Sequence, residues 1–542
     1  MACAAAGLAA AGLAAPARAD DPAPTAQPSA GATQDTSGNT RVQEPKPTYG
    51  DASKVVRAQA AGDPGSSADP ADFRLARGSD LSGRIDDLYA SLYEEGVQDL
   101  MDDANRDAPT GSACTTDPFG TGDNGTPLER AKKYCWKSDD ATSKEWIPQA
   151  ISGVSDAQQD EHWGVKRPIT VGSYDSWNPG RDDANTDGTK GDGVCQVGEP
   201  DSCNEKGARI TFLDPATNKY RHVLLVWPYY NAYDHISFDG VHADENPLQK
   251  GIHAGGMVWY GNYLYVADTM AGVRVFDMRH IIDLNPDNDS ATDDPTRDGL
   301  TSNVQDTRKI GRQNNVWYSY GYRYVMPQVD SWKFTTYQYN KARYGDGESI
   351  TWCEGFGAPK ASYLSLDRSA SPDELVMGEY CRPGKDKENG NQEKPSMGRI
   401  AGIPLDGETG QISTGNYSTV SMWGNYLPKD GIQGAAKYKN KFYLNQSHKY
   451  SNGTLWRAAL NSSSTLTTVG STPTAVGPED LYIEHGEETH DPPLLWSVSE
   501  HRENTDDPSC YTDSSDPYLN GARAEPSPCG RVIYAHRLSD VP

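Results

Sequence analysis

The chain has 542 residues, with 76 acidic against 50 basic side chains and a formal charge of −26. Mean hydropathy is −0.74, and no internal apolar run approaches the roughly 18 residues that cross a bilayer, which excludes a polytopic membrane protein. The acidity argues against nucleic acid and against an anionic membrane surface as partners, because phosphate binding requires a basic footprint.

Residues 1–19, MACAAAGLAAAGLAAPARA, are small and apolar and end in Ala17-Arg18-Ala19. This is the pattern of a secretory signal peptide and predicts a secreted, extracellular protein. Setting Cys3 aside leaves eight cysteines, an even number that implies disulfides in an exported chain. Proximity in sequence pairs them as Cys114–Cys135, Cys195–Cys203, Cys353–Cys381 and Cys510–Cys529. No CxxC spacing occurs, so zinc and redox chemistry are disfavoured.

Residues 20–78 are rich in Ala, Pro, Asp, Gly and Ser and predict a disordered linker. A single long helix is expected from Ser79 to about Asp103. Leu81, Ile85, Leu88, Leu92, Val97 and Leu100 recur at near-helical spacing, and Ser79 or Asp80 can cap the first turn. Residues 79–162 then read as a helix and a disulfide-stapled loop segment packed on a main domain, residues 163–542.

From 163 onward the chain breaks into short alternating segments divided by Gly, Asn, Asp and Pro. With 53 Gly, 36 Pro, 30 Tyr and 12 Trp against 8 Phe, the composition suits a turn-rich all-β domain. The clearest unit is 252–278, with strands at 255–260, 263–268 and 272–277 and a Gly261-Asn262 turn. Similar units occupy 361–405, 433–460 and 478–538, and a less regular one lies at 207–228. GNYLYVADTMAGVRVFDM resembles the inner half of a propeller blade, and GPEDLYIE resembles a blade's opening strand. The resemblance is to the β-propeller repeat of secreted bacterial proteins in general, spans about residues 165–540 and matches no particular enzyme family. It implies an all-β propeller of about five blades; an array of β-sandwiches is the alternative fold. In a propeller the strand at 530–538 ends the last blade, and 166–174 is expected to complete that sheet.

Four groups of residues suggest chemistry. Asp183, Asn185 and Asp187, followed by Gly188, reproduce the first half of a calcium loop, with Asp192 as a further ligand, so Ca²⁺ is the expected cofactor. A second acidic stretch, 283–299, reads as lacking that spacing and is expected to be a solvated loop. Asp234, His235, His242 and His253 lie close in sequence, and His253 precedes the inner strand of the best blade, where it could act as an acid–base group or metal ligand; a histidine hydrogen-bonded to blade backbone is the alternative. Blade openings also carry Glu354, Gln433, Glu479 and Asp480; propeller sites draw side chains from such positions, and paired carboxylates there suit glycoside cleavage, whereas a turn capping the blade is the structural alternative. Finally, Tyr318, Tyr320, Tyr322 and Tyr324 would share one face of an extended strand, and with Trp332 could stack against sugars or fill space between blades.

No GxSxG, HExxH or GxxxxGK[ST] motif is present, which removes most support for serine hydrolase, zincin and nucleotide-hydrolase readings. The sequence therefore predicts a monomeric, secreted carbohydrate-active enzyme, a glycoside hydrolase or polysaccharide lyase acting on an extracellular polysaccharide or oligosaccharide. Its catalytic candidates are His253, Glu354, Glu479 and Asp480, and its substrate-binding candidates are Gln433, Tyr318, Tyr320, Tyr322 and Trp332. A non-catalytic glycan- or protein-binding propeller and a metal-dependent lactonase-type hydrolase are the alternatives.

Overall fold

The computed structural model describes residues 62–78, 80–120, 126–143, 145–176, 206–243, 251–269, 271–289, 292–336, 359–381, 397–413, 418–419, 421–448, 451–486, 493–502 and 529–542. Its main strands form successive four-stranded meanders. The first runs Trp146–Gly153, Ile169–Asp175, Ala208–Asp214 and Lys219–Tyr230. The second runs Met257–Tyr260, Tyr263–Asp268 and Gly272–Asp277, with Tyr324–Phe334 outermost. Tyr363–Asp367, Glu374–Gly378, Arg399–Asp406 and Trp423–Tyr426 make the third. Ile432–Tyr438, Lys441–His448, Ser451–Leu460 and Leu466–Val476 make the fourth. The last contains Pro478–Glu484, Leu494–Ser499 and Val532–Arg537, completed by Lys132–Cys135.

In every meander the first strand is innermost. These first strands pack side by side in chain order, and Pro478–Glu484 returns to Trp146–Gly153, so the ring closes. Sheets set radially about one axis in this way make a β-propeller. Because each inner strand is covered on both faces by its neighbours, it reads as a continuous apolar run: Met257, Val258, Trp259 and Tyr260 are all buried. Glycine sets the spacing. An added Cβ would lie 2.1 Å from the Leu364 nitrogen at Gly256 and 2.6 Å from the Glu479 carbonyl oxygen at Gly434, an approach that a side chain would block. The Gly261-Asn262 turn joins Tyr260 to Tyr263 with Gly261 at φ +57°. Lys439-Asn440, at φ 48° and 61°, makes the equivalent turn in the fourth sheet.

Several expectations are corrected. The strand that completes the last sheet is Lys132–Cys135, whereas Ile169–Asp175 is the second strand of the first sheet. Part of the segment read as disordered linker is ordered: Phe73 and Leu75 are fully buried, and Leu75–Arg77 pairs with Trp332, Lys333 and Phe334. Two buried apolar residues are enough to dock a strand when a sheet edge already stands ready for it. The long helix is interrupted. Ser82–Ser91 and Val97–Asp102 are helical, but Tyr93–Glu95 between them pairs with Ile281–Asp283. Sheet pairing and the extended backbone of Gly96 (φ −98°, ψ 170°) override the helical spacing there. Ser79 lies outside the described residues, and Asp80 Oδ1 accepts the Ser82 N–H at 3.0 Å. A further insertion, Asp294–Ser319, forms a small sheet of its own.

The Cys114–Cys135 disulfide forms as expected, with a sequence separation of 21 residues. Cys381 and Cys529 are also disulfide-bonded, and Cys195, Cys203, Cys353 and Cys510 lie outside the described residues. Since Cys135 ends the strand that completes the last sheet, removing the Cys114–Cys135 bridge with a Cys114→Ala/Cys135→Ala variant should cost about 3 kcal/mol of loop-closure entropy. Urea denaturation of the variant checks this, and an unchanged midpoint would show that strand pairing alone holds the segment.

A buried ionic knot ties the N-terminal segment to the first sheet. Asp140 accepts hydrogen bonds from Arg106 Nε at 2.7 Å, Arg209 Nη2 at 2.9 Å and Tyr220 OH at 2.5 Å, with His222 Nε2 at 3.1 Å. Hydrogen bonding and charge from His222 and Arg209 overcome burial and hold the Asp140 carboxyl far below its usual range. Burial, reinforced by Arg209 and Arg106, outweighs Asp140 and pushes His222 down to about 4. Burial likewise lowers His536 to about 4. At these two sites the unfolded chain binds protons between pH 6.5 and 4 that the folded chain refuses, so their contribution to stability falls as pH falls, by up to about 3 kcal/mol per histidine, while carboxyls that burial raises, Glu479 and Asp480 among them, work in the opposite direction. A His222→Gln/His536→Gln variant should therefore fare better than wild type on going from pH 7 to 4.5, which paired denaturation midpoints check. Among the described residues no helix is long and apolar enough to cross a membrane.

Candidate functional site

The inner strands place their starting residues at one end of the ring. Asp480, the third residue of its strand, lies on the axis and is fully buried. Its Oδ2 accepts the backbone N–H groups of Ile151 and Met257, both at 3.3 Å. Burial raises its carboxyl well above the usual range, opposed by backbone N–H groups of Ile151, Leu481, Met257 and Leu364. One carboxyl thus links the inner strands of the first, second, third and last sheets. Asp480 is a hub below the opening, with no face toward a substrate.

One residue nearer the opening, a polar cluster forms. Gln433 Nε2 donates to Glu479 Oε1 at 3.2 Å. Gln149 Nε2 donates to Glu500 Oε2 at 2.9 Å. His501 Nε2 stands 3.6 Å from Glu500 Oε1, and Arg531 Nε donates to the Glu500 carbonyl oxygen at 2.6 Å. Burial first, and then the Glu500 carboxyl that shares a hydrogen bond with it, push Glu479 well above the usual carboxylate range. Glu479 is 1% exposed, whereas the Glu500 side chain is 21% exposed. Two carboxyl groups in hydrogen-bond contact share a proton. Glu479 is then the neutral acid at the back, and Glu500 the carboxyl that faces solvent.

His253 lies on the same end, just before Met257–Tyr260, with its ring 4.2 Å from that of Tyr174. His242 is buried, its Nδ1 2.8 Å from the Gly240 carbonyl oxygen, and serves the backbone. Asp234, at φ 59°, occupies a turn, and the His235 carbonyl accepts the Asn231 N–H. At the opposite end of the ring, the helical turn Val154–Ala157 packs against three inner-strand regions and is buried throughout. There Asp156 Oδ1 and His485 Nε2 stand 3.4 Å apart.

The aromatic run does not make a platform. Tyr320 at φ 54° and Gly321 at φ 83° turn the chain after Ser319, so the four tyrosines never share one extended strand. Tyr318, Tyr320 and Trp332 are buried, and Tyr322 packs against the core with its OH 3.3 Å from Arg209 Nη1. They fill space between structural layers. The acidic stretch at 283–299 is only partly solvated, because Asp283, Asn285 and Asp294 are buried. Glu354, Asp183, Asn185, Asp187 and Asp192 lie outside the described residues.

Sequence reading singled out Glu479 and Gln433 through their place at strand openings. It missed Glu500 and Gln149. Glu500 follows the strand Leu494–Ser499, whose antiparallel pairing with Pro478–Glu484 brings it back to the opening. The signal was a carboxylate at the far end of the strand after Glu479, one hairpin away.

No family model and no curated protein matches the chain. Among solved structures, it is similar to a glycoside hydrolase family 43 arabinoxylan arabinofuranohydrolase from Bacillus subtilis, at 7% identity and a TM-score of 0.24. That likeness covers 65% of this chain and 59% of the other. A quinohemoprotein alcohol dehydrogenase from Comamonas testosteroni is similar at 11% identity and a TM-score of 0.23, over 68% of this chain and 46% of the other. The chain thus spans less than two thirds of either. Both TM-scores are below one half, and the propeller is read from strand pairing alone.

Proposed function

We propose that this chain is a secreted carbohydrate-active enzyme that breaks a glycosidic bond of an extracellular glycan at the propeller opening, with Glu500 as base and Glu479 as acid. The observation that carries the proposal is the carboxyl pair itself, one member buried and the other at the surface, braced by two glutamine amides. The leader-like N-terminus and the Cys114–Cys135 disulfide support a place outside the cell.

The spacing of the pair selects the reaction. Two-carboxylate hydrolysis places the sugar between groups about 5 to 9.5 Å apart. Carboxyl groups in hydrogen-bond contact leave no room for that, and act together from one side. Elimination suits such an arrangement, because base and acid work from one side of the sugar. Glu500 takes the proton from the carbon next to a uronate carboxyl, the glycosidic C–O bond breaks as a C=C bond forms, and the pair returns a proton to the departing oxygen through Glu500, its exposed member, with Glu479 behind it as the buried proton reserve. Gln433 and the imidazoles of His253 and His501 are the polar groups at this end that a uronate would meet. The reading is therefore a lyase for uronate-containing glycans.

Incubating the protein with plant, bacterial and algal polysaccharides tests this. A lyase releases reducing ends together with the ultraviolet absorbance of the new unsaturated uronate. Reducing ends without that absorbance would mean hydrolysis and overturn the elimination. Binding without product would leave a glycan-binding propeller in place of an enzyme.

A further inference from the structure

Away from the opening, the connection between the strand Ile281–Asp283 and the inserted sheet beginning at Asp294 carries a second constellation. Its sequence, DLNPDNDSATDD, places oxygen-bearing side chains at the first, third, fifth, seventh and twelfth positions, counted from Asp283. Contrary to the expectation above, that is the ligand spacing of a calcium loop, with Asn288 at the sixth position where glycine is usual. Asn288 adopts φ 50°, the left-handed turn that the sixth position requires.

The independent observation is burial without partners. Asp294 is 1% exposed, and among the described residues no hydrogen-bond donor reaches either of its carboxyl oxygens. Asn285 is 6% exposed; its Nδ2 donates to the Asp289 carbonyl oxygen at 2.9 Å, while its Oδ1 is buried and unpartnered. Three buried oxygens that accept nothing are costly and are usually satisfied by a ligand or ion. Arg323 is spent on Asp283, at 2.8 and 2.7 Å, with Asn288 Oδ1 and Asp103 as its other acceptors.

We propose that Asn285, Asp287, Asp289 and Asp294 form a binding site for one hard divalent cation, calcium, which fastens the inserted sheet to the propeller. Among the described residues no three carboxylate, imidazole or thiolate side chains are already gathered into a metal-holding group. Asp287 and Asp289 are exposed, and Asn285 and Asp294 are the buried half of the site. Binding draws the two exposed carboxylates inward onto the buried oxygens. The proposed ligands include none of residues 183–192, and the site is independent of the glycan reading.

Calcium titration of the full, chelator-treated protein tests the proposal, followed by terbium luminescence and by thermal unfolding. Calcium should bind with a dissociation constant on the order of 10⁻⁴ to 10⁻³ M, the range of extracellular modules. At several millimolar it should raise the unfolding temperature by about 2 to 5 °C. Asp294→Asn should abolish both the increment and the luminescence. Asp287→Asn changes an exposed residue that the fold does not need, and should weaken binding at least tenfold with the calcium-free unfolding temperature unchanged. Failure of calcium to bind, or binding that both variants retain, would overturn the assignment; the second result would place the ion elsewhere.

Discussion

Replacing Asp480 with alanine should destabilise the protein by about 3 kcal/mol or more, because buried N–H groups of separate sheets lose their shared acceptor. Ile151 and Met257 both point at Oδ2, and Leu364 and Leu481 also bear on the carboxyl. Inner-strand backbone has no other route to water at this depth, so each orphaned donor costs its full desolvation. Asp480→Asn should behave differently. It keeps the acceptor oxygen and removes a carboxyl that burial already disfavours in its charged form, so its loss should stay within about 1 kcal/mol. Chemical denaturation of both variants checks the contrast. If alanine is tolerated as well as asparagine, the axial hydrogen bonds do not hold the ring together.

The second large effect is on turnover. With a uronate glycan identified as substrate, Glu500→Gln should lower kcat by about 10² to 10⁴, the contribution of a positioned base. KM should change far less, since the amide preserves shape. Glu479→Gln removes the proton that the pair shares but keeps Gln433 supplied with an acceptor oxygen, so it too should act on kcat. The pH profile separates the two roles. Wild type should lose activity on the alkaline side as Glu479 gives up its proton, because burial and Glu500 raise that carboxyl well above the usual range. In Glu479→Gln that alkaline limb should move or vanish. Full activity in both variants would remove the pair from the mechanism.

What the sequence disclosed and what it hid follow from range. Alternating and continuous apolar runs such as GGMVWYGNYLYVADTMAGVRVFDM are local, and their hairpins join residues a few positions apart. The same holds for Cys114–Cys135. The hidden features are non-local pairings. Leu75–Arg77 is a strand only because Trp332–Phe334 offers it an edge. Tyr93–Glu95 leaves its helix because Ile281–Asp283 waits alongside. Tyr318 to Tyr324 failed as a single face because two left-handed residues turn the chain, and no propensity for extended structure reveals that. In the site, Glu479 was visible from its place at a strand opening. Glu500 required knowledge of which strand returns beside it.

The seam in the last sheet bears on how the protein is made. Lys132–Cys135 and Val532–Arg537 are neighbours across roughly four hundred residues of chain, a separation that makes ring closure slow relative to hairpin formation. As the polypeptide emerges from N- to C-terminus, each meander can assemble in turn, yet Lys132–Cys135 must wait, unpaired, for the final stretch to arrive. The growing half-circle therefore presents raw sheet margins until Val532–Arg537 has been made, and that strand acts as a clasp. Once Val532–Arg537 is paired, the last sheet is complete between Leu494–Ser499 and Lys132–Cys135, so resistance to proteolysis should rise sharply with that strand.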